Sequence, residues 1–169
     1  MYLHMSISAV IDATTYAIST DRANADVTFT AEASLVGVTE VAFGVRQHRL
    51  TIDEPASLGG GDTAINPVEA VLVGLGSCQA IAYRFWATKL DIAFDNISVT
   101  TRGELDLRGF FGLDDAIRPG FQGISYDVTI SGPESPERYR QLAAAVDAHC
   151  PVLDTVSNPT PLRNSLTIR

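Results

Sequence analysis

Two cysteines are the residues of this chain best equipped to make and break bonds, and they stand far apart. Cys78 lies in Gly76-Ser77-Cys78-Gln79, inside a long apolar run, and Cys150 lies in His149-Cys150-Pro151-Val152. A thiol reacts as its thiolate, so each is weighed as a small core hydrophobe against a nucleophile kept anionic by its surroundings. His149 adjoins Cys150 and could act as a base or cation, or simply favour the negative end of a helix. His48 and His4 have no cysteine near them in sequence, and the paired spacing of structural zinc motifs is missing. Asp114-Asp115 falls two ligands short of a metal site. No metal or other cofactor is expected.

The elements that must position the two thiols are legible. Asn66 is an N-cap, Pro67 occupies the first helical position and Glu69 completes a capping box, so a helix starts here and runs to about Thr88. From Ala70 to Tyr83 it carries no charge, which predicts burial on every side, and Gly74 and Gly76 would let another backbone approach. The run is too short to span a bilayer. Ser135, Pro136 and Glu137 open a second, amphipathic helix, whose Tyr139, Leu142, Ala143 and Val146 share a face with Cys150. Pro151 stops it, and a short helix restarting over Pro151–Val156 would make Cys150 its N-cap, with free amides favouring the thiolate.

Around these helices the pattern is that of strands. Ile7, Ala9 and Ile11 alternate loosely; Val27, Phe29 and Ala31 alternate cleanly; Val36–Val45 is β-rich; Leu50 and Ile52 alternate. Ile97 and Val99 begin a strand that reaches toward Leu107, Ile124–Ile130 is the cleanest strand, and Arg163–Arg169 reads as a closing one. Gly59, Gly60 and Gly61 mark a mobile loop before the central helix, without a phosphate-binding fingerprint. Phe110 and Phe111 are either packing or the wall of a ligand cleft. One α+β domain over residues 1–169 is expected, with antiparallel sheets around a long buried helix.

The pair NPVEAVLVGLGSC and HCPV, in that order and about this far apart, resembles the OsmC/Ohr family of thiol-dependent peroxidases and their OsmC-like relatives, over roughly Arg46 to the C-terminus. The resemblance implies an intertwined homodimer with two central helices back to back between sheets built from both chains. It implies that Cys78 is the peroxidatic residue and Cys150 the resolving one, that the two form a disulfide, and that an external thiol, dithiol or lipoylated protein reduces it. A hydroperoxide is the implied substrate. The family's peroxidases hold an activating arginine with a glutamate directly after the Asn-Pro; here that position is Val68, and Glu69 points about 100° away on the helix. Arg46 and Arg49 are the arginine candidates, with Arg22 third.

What the cation must supply can be sized. Moving a thiol from a pKa of about 8.5 to about 6 takes roughly 3.4 kcal/mol of preference for the anion. A guanidinium about 4 Å away is worth on the order of 4 kcal/mol at an effective dielectric near 20. One arginine is enough. The alternative, motivated by Val68, is a non-catalytic stress or small hydrophobic ligand-binding protein of the same fold.

A net charge of −8 and a single lysine, Lys89, argue against nucleic acid. The N-terminal residues lack the basic start and continuous apolar core of a signal peptide, so a cytoplasmic protein is expected, in which two cysteines read as thiols that cycle.

Overall fold

A computed structural model describes residues 6–169, and His4 lies outside the described residues. Helix α1 (Ile7–Thr20) precedes strands β1 (Glu32–Leu35), β2 (Val41–Val45) and β3 (His48–Ile52). The central helix α2 (Pro67–Leu90) is followed by strand β4 (Asn96–Leu105), the single-turn α3 (Leu107–Phe110), strand β5 (Phe121–Ser131) and helices α4 (Pro136–Asp147) and α5 (Pro151–Ser157). The class is α+β, as the sequence predicts. The chain divides into two compact units: residues up to Gly74 with Thr101–Ser125, and Leu75–Thr100 with Tyr126–Arg169.

In the first unit, β1, β2 and β3 form an antiparallel sheet whose register puts Glu32, Gly44 and Arg49 in one row. The loop after β3 is organised by Asp53, whose buried carboxylate accepts from the Thr39 hydroxyl at 2.6 Å, the Glu54 amide at 2.8 Å, the Gly61 amide at 3.0 Å and both the amide and hydroxyl of Thr63. The glycine run therefore does present an amide to an anion, but the anion is the chain's own, and these bonds fix a loop predicted to be mobile. A side chain on Gly60 would overlap the Glu54 carbonyl, so the loop can close only over glycine. The capping box at the start of α2 forms in both directions: Glu69 N–H donates to Asn66 at 2.8 Å and Asn66 N–H to Glu69 at 2.9 Å.

In the second unit, α2 buries one row spaced four apart, Leu75, Gln79, Tyr83 and Ala87. Tyr83 and Ala87 pack with Ile92, Phe94 and the α4 residues Leu142 and Val146, with Val128 and Ile130 of β5 alongside. Polar contacts seat the start of α4 on the turn after α2. The Arg138 guanidinium donates to the Leu90 and Asp91 carbonyls at 3.2 and 2.7 Å, satisfying acceptors that a helix end leaves open. The Tyr139 hydroxyl donates to the Ala93 carbonyl at 3.1 Å.

Several strand expectations fail. Ile7, Ala9 and Ile11 lie in α1, because Ser6 caps it by accepting from the Ala9 amide and the run of Ala9, Ala13 and Ala17 favours helix over the loose alternation. Residues 27–31 carry no strand: Val27 and Phe29 are exposed, and pairing begins at Glu32. Val36 and Gly37 belong to a turn that donates to the Glu40 carbonyl, so only Val41–Val45 of that segment is strand. Arg163–Arg169 has no regular structure, with Leu166 and Ile168 exposed; alternation supplies a face, but a strand also needs a neighbour's ladder. The helix predicted to be buried all round is buried on one row only, and a side chain at Gly74 would meet open space.

The Asp53 bonds, that of Thr39 foremost, hold its carboxyl well below the usual carboxylate range. An acid ionising below its unfolded value of about 3.9 stabilises fully above that pH and loses its contribution as pH falls toward the folded value. Asp53→Asn should lower the urea midpoint near neutral pH and shrink the drop between neutral pH and about pH 3. An equal drop in both proteins would show that another group sets acid stability.

Candidate active site

Cys78 occupies the middle of α2, and Cys150 is the N-cap of α5. Although 72 positions separate them, the Cys150 thiol donates to the Cys78 sulfur at 3.4 Å. Pro151 supplies the geometry: it cannot continue α4, takes the first position of α5 and leaves Cys150 extended at the junction, its side chain turned toward α2.

The two sulfurs are not equivalent. Cys150 is 1% exposed, whereas Cys78 is half-buried, against the sequence expectation that it is enclosed. Burial pushes the Cys150 thiol above its ordinary range; the amides of Leu153 and Val152 pull the other way, and donation to Cys78 adds to the rise. The helix-start amides expected to favour a Cys150 thiolate are thus present but outweighed by desolvation. The pair is therefore asymmetric: the buried Cys150 thiol donates, and the half-buried Cys78 sulfur accepts and reaches solvent.

Around Cys150 lies polar machinery that the sequence did not single out. The Tyr126 hydroxyl, on β5, donates to Asp147, at the end of α4, at 2.8 Å. Burial and that carboxylate push the Tyr126 phenol up to about 12, with the Cys150 charge contributing. Tyr83 is also raised, by burial first and then by Asp147. Gln79, next to Cys78, is fully buried, and neither atom of its amide has a partner among the described residues. A glutamine in an uncharged helix was the available signal; the Tyr126–Asp147 contact joins a strand and a helix and left none.

The remaining candidates fall as follows. Arg46 and Arg49 lie at the β2–β3 hairpin, Arg46 in the left-handed turn (φ 55°) and Arg49 donating to the Arg46 and His48 carbonyls at 3.5 and 3.1 Å. Both line a cleft of about 410 Å³ with Glu32, Phe43 and Gly44. Arg22 sits in a single 3-10 turn. In the unit that holds both cysteines, Arg84 lies over the Phe94 ring, and Arg138 and Arg140 bond Glu134 and Glu137. His149 is not free beside Cys150: its Nδ1 is 3.0 Å from the Ala145 carbonyl and its ring is 4.3 Å from that of Trp86. Phe110 and Phe111 pack edge to face on each other and stay exposed. Among the described residues no three histidine, cysteine or acidic side chains gather as a metal site.

The profile of the family described as OsmC-like protein matches residues 59–164. The chain belongs to the OsmC-like protein family. Solved structures carry the fold further toward the N-terminus. An OsmC-like protein from Mycoplasma pneumoniae is similar with a TM-score of 0.68 at 20% identity, over 78% of this chain and 89% of that one. An organic hydroperoxide resistance protein OsmC from Legionella pneumophila is similar at 0.60 and 22% identity, over 77% and 89%. An organic hydroperoxide resistance protein from Elizabethkingia anophelis follows at 0.56 and 19%, over 78% and 89%. No curated protein matches the sequence. No described helix of this OsmC-like chain is long and apolar enough to cross a membrane.

The asymmetry of the thiol pair predicts the order of labelling. In native protein near neutral pH, iodoacetamide should modify Cys78 well before Cys150, as read by peptide mass spectrometry, and Cys150 should catch up only on unfolding. Prior modification of Cys150 would contradict the assigned exposure and proton placement.

Proposed function

We propose that this OsmC-like protein reduces organic hydroperoxides with Cys78 as the attacking thiolate and Cys150 as the resolving thiol. The observation that carries the reading is the 3.4 Å sulfur contact, in which the more exposed sulfur accepts and the buried one donates. In the first step the Cys78 thiolate attacks one peroxide oxygen, the O–O bond breaks, and the leaving alkoxide takes a proton to depart as alcohol, giving a sulfenic acid. In the second the Cys150 sulfur attacks Cys78, the S–O bond breaks and water leaves with the Cys150 proton, giving the disulfide. An external dithiol or lipoylated protein then restores both thiols. The names of the similar Legionella and Elizabethkingia proteins, both organic hydroperoxide resistance proteins, support the substrate class.

Arg46 or Arg49 is the proposed activating cation, in keeping with their place beside an open cleft and with the engagement of Arg84, Arg138 and Arg140 elsewhere. The proposed working form is a homodimer in the cytoplasm. Val71, Gly74, Cys78, Ile81 and Phe85 recur at the alternating three-and-four spacing of a helix-pairing seam, and Val71, Ile81 and Phe85 are exposed on the single chain. With a second copy seated there, those side chains would wall the approach to Cys78 with apolar surface, which suits an alkyl hydroperoxide.

On addition of an organic hydroperoxide, wild-type protein should lose both titratable thiols and gain a Cys78–Cys150 disulfide. Cys78→Ser should fall to background, roughly 10³-fold or more below wild type, and Cys150→Ser should complete one turnover and accumulate dimedone-reactive sulfenic acid. Wild-type protein that leaves the peroxide intact would instead favour the non-catalytic reading. By sedimentation the protein should behave as twice its 18.1 kDa chain mass, and Ile81→Glu should shift it to the single chain; a monomeric wild type would end the dimer proposal.

A further inference from the structure

His149 has no part in either bond-making step, yet it is fixed more firmly than a helix-end histidine needs to be. Its Nδ1 lies 3.0 Å from the Ala145 carbonyl, so in the neutral ring that nitrogen carries the proton and donates. The ring itself lies against Trp86, with centroids 4.3 Å apart and planes inclined by 53°. On the indole sits a further group, the Lys89 ammonium, 4.4 Å from the ring centroid. Trp86 belongs to α2, the helix that carries Cys78, and lies about two turns, or roughly 12 Å, further along it. His149 directly precedes Cys150. The turn between α4 and α5 is therefore tied to α2 at two points, by the sulfur contact and by the imidazole–indole contact.

Of the two ties, the sulfur contact is the weaker and the one that must change during turnover. A thiol is a poor donor, and once Cys78 holds an oxygen the original bond no longer exists. Of these two ties, the aromatic one involves no atom that the oxidation of Cys78 changes, and it lies nearer to Cys150 along the chain than the α4 packing at Leu142 and Val146. We propose that His149 is a positioning residue for the resolving step, its clamped ring holding the α4–α5 turn against α2 so that Cys150 stays within reach of the oxidised Cys78 sulfur.

The inference rests on the peroxidase reading above and adds what governs the fate of its intermediate. Sulfenic acid on Cys78 partitions between attack by Cys150, which expels water and forms the disulfide, and attack on a second hydroperoxide, which yields sulfinic acid and another alcohol. Misplacing a reacting group by about 1 Å can cost on the order of a hundredfold in rate, so loosening the turn shifts this partition without touching the first step.

The test uses the full chain, reduced and then mixed with tert-butyl hydroperoxide, with acid-quenched samples read by mass spectrometry for thiol, dimedone-trapped sulfenic acid, sulfinic acid and disulfide. His149→Ala should consume the first equivalent of peroxide at the wild-type rate while disulfide formation slows about tenfold and sulfinic acid on Cys78 rises. Trp86→Leu, which removes the other half of the tie, should do the same. His149→Phe, which keeps the ring contact and loses the Ala145 bond, should fall between. Unchanged disulfide formation in both His149→Ala and Trp86→Leu would overturn the positioning role and leave the peroxidase reading intact. Equal slowing of both steps would overturn it too, by showing a general loss of structure. A wild-type protein that forms no disulfide takes down both.

Discussion

A buried thiol held against a half-exposed one is the constraint on which the site depends, because a sulfur–sulfur contact of this kind cannot hold itself together. The thiol is a weak donor, and the two residues come from elements 72 positions apart. What keeps them in place is the packing of α4 against the second half of α2. Leu142 and Val146 fill the space beside Tyr83 and Ala87, while Arg138 and Tyr139 bond the turn that follows α2. Pro151 then ends α4 at the position where Cys150 can face the central helix. Apolar burial sets the distance between helices, and the proline sets the direction of the sulfur.

Desolvation decides where the proton rests. Helix-start amides favour a thiolate on Cys150, but α5 is a single short helix and its effect is smaller than that of near-complete burial. Retaining the proton on Cys150 makes it a donor to Cys78, the arrangement from which the proposed two-thiol cycle starts. The Tyr126–Asp147 contact lies on the Cys150 side of the site, where it holds the Tyr126 phenol high. Under the proposed cycle, activation of Cys78 falls to a cation from the sheet that carries Arg46 and Arg49, and selectivity to the apolar residues along the exposed row of α2.

In the first unit an internal anion does work that glycine-rich loops elsewhere do for ligands. Asp53 draws the Gly61 and Thr63 amides inward and so defines the path of the chain into the capping box at Asn66 and Glu69. Local chemistry at one end of this segment was readable, because a cap and its partner lie three residues apart. The Asp53 contacts with Thr39 and Thr63 were not, since a carboxylate just past the end of a strand reads as an ordinary loop residue until the distant hydroxyl arrives.

Sequence alone determined the start of α2, the cap of α4, a break at Pro151 and the identity of the two thiols, because caps, prolines and helical spacing act over a few residues; that α4 stops at Asp147 and a new helix starts at Pro151 came from the structure. The sequence misled where a short period-2 pattern had no neighbour to pair with, as at Arg163–Arg169, or where a serine cap and alanines outweighed it, as in α1. Only the tertiary structure decided that Cys78 and Cys150 touch, which of them is buried, that His149 lies against Trp86, and that one row of α2 stays open. Those outcomes depend on burial and on contacts between residues distant in the chain, quantities that no local pattern of side chains encodes.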